Sequence, residues 1–210
     1  MAYRKILQWP HPGLKEKSKP VVCFDETLVK LVGDMYDTLN VVNGAGLAAP
    51  QIGVLERVII LNCSSFSFAN PSPYERDENI FVLINPELEL NGDDMMWRES
   101  CLSVPRYSGT VRRKSHVKLR YCDMGGTSHE MLVGWPFSGA LQHECDHLDG
   151  YVFIDRLGKR ARQELKKKIY RTLRPPLRKI ARPKIEREPM DTRLTHGPGK
   201  RKKKRKKRKK

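Results

Sequence analysis

The pentapeptide His143-Glu144-Cys145-Asp146-His147 constrains this chain more than any other stretch. On a helix, positions i and i+4 share one face, so both imidazoles can reach one metal ion. A carboxylate directly after the first histidine can take a proton from water that the metal acidifies. With 6 His and 13 Glu among 210 residues, about 0.01 such H-E-x-x-H patterns arise by chance. A core helix with incidental histidines is therefore the weaker reading. The helix is expected from about Pro136 to Leu148, with Gly150 as its stop.

Two histidines leave the metal short of a third protein ligand. Extending the motif to H-x-x-G-x-x-H uses Gly150 but then needs histidine where Phe153 stands. The downstream carboxylates are Asp149, Asp155, Glu164, Glu186, Glu188 and Asp191. Asp149 is too near in sequence, and the others lie in or beyond a basic segment. The third ligand is therefore expected upstream. Cys101, in "WRESCLSVP" (97–105), offers one. A thiolate, two imidazoles and water make a sound tetrahedral catalytic site. A buried free thiol is the alternative for Cys101.

Charge divides the chain unevenly. Residues 1–155 hold 15 Lys and Arg against 20 Asp and Glu, and residues 156–210 hold 26 against 4. An acidic body (−5) thus carries a basic tail (+22), which points to a polyanionic partner. Five scattered cysteines argue against a disulfide scaffold and for a reducing compartment, here expected to be the cytoplasm. No apolar run is long enough for a membrane span. The N-terminal segment lacks the apolar stretch of a secretory signal.

Residues 25–42 carry Leu28, Leu31, Val32, Met35 and Leu39 at helical spacing, with Asp25 as N-cap. The Gly-rich segment 43–53 reads as an irregular loop. Segments 57–62, 80–86, 110–123 and 128–135 read as strands, with loop between the first two and a turn at Met124–Gly126. Residues 155–174 form a basic amphipathic helix with Leu157, Ala161, Leu165, Ile169 and Leu173 as its stripe. Pro175-Pro176 ends it. The expected division is a domain at 1–174 and a disordered polybasic tail at 175–210, the last eleven residues all Lys or Arg.

Three stretches together resemble the peptide deformylase family: "GAGLAAPQ" (44–51), "ESCLS" (99–103) and "QHECDHL" (142–148). Their order and separations fit, and "ILQWPHPGL" looks like the family's opening strand and turn. The resemblance covers roughly 3–173. Ser100 stands where the family most often has glycine. The fold expected is α+β, with antiparallel β-sheets packed around a central H-E-x-x-H helix. The resemblance implies one divalent metal held by Cys101, His143 and His147, usually Fe(II), with Zn, Ni or Co also able to occupy the site. It implies removal of the formyl group from N-formylmethionyl nascent peptides, with release of formate.

Roles follow from the same resemblance. Glu144 moves the proton from water to the departing amine. Gln51 and the backbone N–H of Leu102 donate to the oxyanion. Gly44 and Gly46 let the main chain approach the substrate, with Ser100 beside it. Ala45, Trp97, Gly139 and Ala140 lie near the methionine side-chain pocket, although Trp97 fits core packing equally well. Glu99 orients the site or holds Arg112 or Arg113, and Asp146 fixes local structure. Cys145 is expected in the core. His11, His116, His129 and His196 carry no partner spacing. The basic helix and tail, including Lys200, Arg201, Lys202, Lys203, Lys204 and Arg205, are expected to meet the ribosome or its RNA. A nuclear import signal and a membrane-surface anchor are the other readings of the tail.

Two competing functions remain at this point. A metallopeptidase that cleaves internal peptide bonds shares H-E-x-x-H but predicts a His or Glu third ligand. An inactive deformylase-like module could deliver the basic tail to RNA.

Overall fold

The computed structural model describes residues 2–71 and 73–173. Helix α1 spans Glu26–Val42, and the Asp25 side chain accepts from the N–H groups of Thr27 and Leu28. Such a cap is worth about 1 kcal/mol. Strand β1 (Gly46–Ala48) and a 3-10 turn (Ala49–Ile52) follow, where the sequence reading had only an irregular loop. Next come β2 (Val58–Asn62), β3 (Pro73–Tyr74) and β4 (Asp77–Ser100). The segment expected to be loop after β2 therefore contains a 3-10 turn (Cys63–Phe66), β3 and the start of β4. Strands β5 (Ser108–Cys122) and β6 (Ser128–Val133) precede α2 (Phe137–Leu148), α3 (Phe153–Arg156) and α4 (Lys159–Leu173).

The expected α+β class holds, and all strand pairs are antiparallel. The order is β1-β2-β4-β5-β6, with β3 on β4. One long strand joins the two halves. The first part of β4 pairs with β2 through Ile80–Ile84, and the rest pairs with β5 from Glu87 to Ser100. Its register shifts between Ile84 and Glu87 and again between Asn91 and Asp94. Asn85 (φ 52°) and Gly92 (φ 74°) sit at these shifts. Bulges of this kind bend a strand and increase its twist.

Strand β2 is apolar from Val58 to Leu61, where both of its faces are buried. Val58 and Ile60 pack with Leu28, Val32 and Met35 of α1. Ile59 and Leu61 pack with Phe137, Leu141 and Leu148 of α2. Strand β5 alternates instead, with Val111, Arg113, Ser115, Val117, Leu119 and Tyr121 buried. That period of two puts Arg113 inside and Arg112 outside.

Three expectations change at the ends. The opening stretch 6–14 contains no assigned strand, although Leu7 N–H donates to Gln51 O and Trp9 N–H to Ser103 O. The basic segment is two helices, α3 and α4. Leu165 and Ile169 are buried in a cluster with Trp9, Val104 and Phe153. Ala161 and Leu173 of the expected stripe are exposed. The residues expected to form the tail, 175–210, lie outside the described residues.

Candidate metal centre

Every residue of α2 is buried, including six polar or charged ones: Ser138, Gln142, His143, Glu144, Asp146 and His147. Buried polar groups need partners. Gln142 supplies its own by accepting from Lys114 N–H and donating to Lys114 O of β5. Asp146 accepts from Arg113 at 2.7 Å and from Arg156 Nε at 3.0 Å. His143 Nδ1 lies 2.7 Å from Glu99 Oε2, and Arg113 holds the same carboxylate through two hydrogen bonds. Glu99 is thus held by Arg113, while Arg112 pairs outward with Asp94. Removing one member of such a buried charge network costs about 3–5 kcal/mol, because its partners stay buried.

Two groups on α2 break this pattern. Glu144 Oε2 and His147 Nδ1 are buried and have no hydrogen-bond partner among the described residues. Both sit beside Cys101. His147 Nε2 lies 3.2 Å from Cys101 Sγ. The ligand atoms of Cys101, His143 and His147 all fall within 4.8 Å of one another. Since Nδ1 of His143 faces Glu99, its Nε2 remains for a metal. One thiolate and two imidazoles fit a soft-to-borderline divalent ion.

The electrostatics pair a lowered thiol with a raised imidazole, whose proton a bound metal would displace. Burial acts to raise the Cys101 thiol, yet the His147 and His143 side chains bring it down to about 5. Burial also opposes charge on His143, but the Cys101 and Glu99 side chains raise it well above the ordinary imidazole value. For Glu99 burial is outweighed by His143 and Arg113, which hold its carboxyl low. Glu144 goes the other way: burial raises it, only partly offset by the two histidines. A carboxylate raised in this manner suits proton transfer.

Gln51 is fixed beside the trio. Its Oε1 accepts from Ala48 N–H at 2.8 Å, and its Nε2 donates to Ser103 Oγ at 3.1 Å and lies 3.7 Å from Cys101 Sγ. Leu102 follows Cys101 in a turn, and its N–H makes no backbone hydrogen bond among the described residues.

A cavity of about 560 Å³ opens onto these groups. Of the residues expected around substrate, Gly44, Ala45, Gly46, Trp97, Ser100 and Ala140 line it. Gly139 does not. Instead, a Cβ there would lie 2.5 Å from two ring carbons of Trp97, so Gly139 acts by letting Trp97 seat. Gly46 packs directly against Glu144: a Cβ there would fall 2.6 Å from Glu144 Oε1 and 2.7 Å from Leu61 Cδ2.

Several lining residues escaped the sequence reading: Leu61, Phe66, Arg98, Arg106 and Tyr107. Phe66 had been placed in an irregular loop, and nothing in its spacing marks it. Ser103 was missed as a support for Gln51, although it ends the second motif. Cys145 is a core thiol, as expected, pushed well up by burial. It lines a separate cleft of about 380 Å³ behind α2. The downstream carboxylates Asp149 and Asp155 pair with Arg57 and Lys15 and take no part in the ligand trio.

Comparison with known proteins gives the same answer as the geometry. The family model described as polypeptide deformylase matches residues 3–163. A peptide deformylase of Wolinella succinogenes is 38% identical over 172 residues, covering 82% of this chain and 98% of that one. One from Phenylobacterium zucineum is 41% identical over 170 residues, covering 80% and 96%. Among solved structures, a peptide deformylase from Legionella pneumophila is 34% identical at a TM-score of 0.71, covering 82% of this chain and 96% of that one. One from Ehrlichia chaffeensis in complex with actinonin is 31% identical at a TM-score of 0.72, covering 83% and 99%. The matched region takes in all three candidate ligand residues and the sheet and helix that carry them, so this chain belongs to the peptide deformylase family.

Proposed function

We propose that this protein hydrolyses the formyl group from N-formylmethionyl peptides and releases formate, using one divalent metal held by Cys101, His143 and His147. The observation that carries this reading is the buried Cys-His-His trio beside the unpartnered Glu144 carboxylate, with Cys101, His143 and Glu144 open to the cavity. The cysteine ligand counts against the internal metallopeptidase, which predicts His or Glu. The complete set of candidate catalytic groups counts against an inactive module. The test is formate release from formyl-Met-Ala-Ser, with an unformylated peptide as control and metal analysis on the same sample. Cleavage of internal peptide bonds without formate release would return the metallopeptidase.

When bound, the ion supplies Lewis acidity toward water and the formyl carbonyl. The protein's own groups do the rest. Glu144 takes a proton from the attacking water and delivers it to the departing amine. Gln51 and the Leu102 N–H stabilise the oxygen that gains charge. Glu99 holds His143 in one tautomer, with Nδ1 as donor. The apolar wall formed by Leu61, Phe66, Trp97 and Ala140 receives the methionine side chain. Fe(II) is the proposed native ion, and Zn, Ni and Co suit the same donors.

The basic C-terminal part is proposed to dock on the ribosome or its RNA, which places the enzyme in the cytoplasm. Its support is the +22 charge of residues 156–210. Within α4, Leu165 and Ile169 are buried against the body, while Lys159, Arg160, Lys167, Lys168 and Arg171 are exposed. A fixed helix gives orientation, and Lys200–Arg205 adds non-specific phosphate contacts. No helix of the described residues is long and apolar enough to cross a membrane.

A further inference from the structure

We infer that Arg98 and Arg106 make this site selective for formylated peptides with an acidic residue at either of the two positions that follow the methionine. The inference rests on the deformylase reading above. The cavity has a chemical gradient. Its floor holds Gln51, Cys101, His143 and Glu144, and one wall is apolar. Arg98 and Arg106 also line it, and both are exposed. Arg98 Nε donates to Ser108 Oγ at 3.0 Å, which ties it to the loop that carries Arg106 two residues earlier.

Neither guanidinium has a carboxylate within ion-pair distance among the described residues. The contrast with other arginines of the body is direct: Arg57 pairs with Asp149, Arg112 with Asp94, Arg113 with Glu99 and Arg120 with Glu130. The cavity's own carboxylates do not neutralise the rim either. Glu99 is committed to Arg113 and His143, and Glu144 lies buried at the floor. Two unpaired arginines are also unusual for a body whose first 155 residues carry a net −5. Arg106 has φ 70°, a backbone state in which glycine is unstrained and arginine is not.

The substrate's chemistry makes this charge meaningful. Formylation removes the ammonium charge of the N-terminus, so the first charges the site meets are on the side chains of residues two and three. An extended chain advances about 3.3–3.6 Å per residue, which keeps both positions near the cavity mouth. A carboxylate there can engage a guanidinium with two parallel hydrogen bonds, and an ammonium is repelled. Exposed pairs are each worth only a few-fold, so the combined preference for Glu over Lys should be roughly 10-fold in kcat/KM.

The experiment uses the metal-loaded full-length enzyme and C-terminally amidated formyl-Met-X-Ala-Ser and formyl-Met-Ala-X-Ser, with X as Glu, Gln or Lys. The expected order at one or both positions is Glu over Gln over Lys. The spread should shrink as salt rises to about 0.5 M, where the Debye length is only a few ångströms. Arg98→Glu/Arg106→Glu should invert the order, and Arg98→Gln/Arg106→Gln should flatten it. Each comparison is a ratio within one protein, so a general loss of activity cancels. Equal rates for all three peptides at both positions would overturn the inference, as would a spread insensitive to salt or an unchanged order in the charge-reversed protein. Absence of formate from every peptide would instead overturn the deformylase reading itself.

Discussion

Glu99 Oε2 lies 2.7 Å from Nδ1 of His143, and Arg113 grips the same carboxylate from β5. Three elements therefore fix one ligand imidazole: the end of β4, the middle of β5 and the helix α2. Arg113 continues to Asp146, which in turn accepts from Arg156 beyond α3's start. The candidate metal centre is backed by a charge network that runs from Glu99 at the cavity to Arg113, Asp146 and Arg156 at the cleft behind α2.

Glu99→Gln should weaken metal binding by about 10–100-fold, the usual cost of losing a group that orients a ligand histidine. Competition with a chelator measures it. Unchanged affinity would reduce Glu99 to a partner of Arg113 alone.

Glu144→Ala should keep its metal and lose turnover, because Glu144 is proposed to move protons and not to coordinate. Cys101→Ala should lose metal affinity, since one of three protein ligands is gone. Metal content and formate release, measured together, separate the two. A Cys101→Ala protein with full metal and full activity would remove the assigned chemistry.

Gln51→Ala should lower kcat by about 10²–10³-fold if, as proposed, its donor meets charge that appears only in the transition state. A raised KM at constant kcat would show that Gln51 only binds ground-state substrate.

Gly46→Ala places a Cβ 2.6 Å from Glu144 Oε1 and 2.7 Å from Leu61. Glu144 must move, so turnover should fall by about 10²-fold, typical of small misplacements at a reacting centre. The metal should stay bound. Steady-state kinetics with metal analysis decides, and wild-type turnover would mean that Glu144 has slack that the packing does not indicate.

Deleting residues 175–210 should leave hydrolysis of a short formyl peptide nearly unchanged and weaken ribosome binding. With ~6 phosphates engaged, the full-length log–log salt slope should be about −4 to −5, flattening on truncation. Co-sedimentation at two salt concentrations tests this. Equal, salt-insensitive binding by both forms would favour the import or membrane readings.

The metal motif, the cysteine candidate and the regular helices were legible in the sequence because they depend on local spacing. His143 and His147 share a helix face by periodicity alone, and Asp25 caps α1 through neighbouring N–H groups. The three motifs also carried the family resemblance and, with it, the proposed ligand set. What the sequence could not decide depends on contacts between distant residues. The choice of Arg113 over Arg112 follows from the pleat of β5, once that strand pairs in register with β4. The Gly-rich segment reads as loop in isolation. It becomes β1 only because Leu61 and its neighbours offer backbone partners. Gly139 was assigned to the pocket, but its position is set by the Trp97 ring packed against it from another element. Arg98 and Arg106 look like ordinary surface charges until folding places them at one cavity with no carboxylate to meet them. Spacing determines which side chains can act together on one element, whereas tertiary packing decides which of them are left without partners and so free to act.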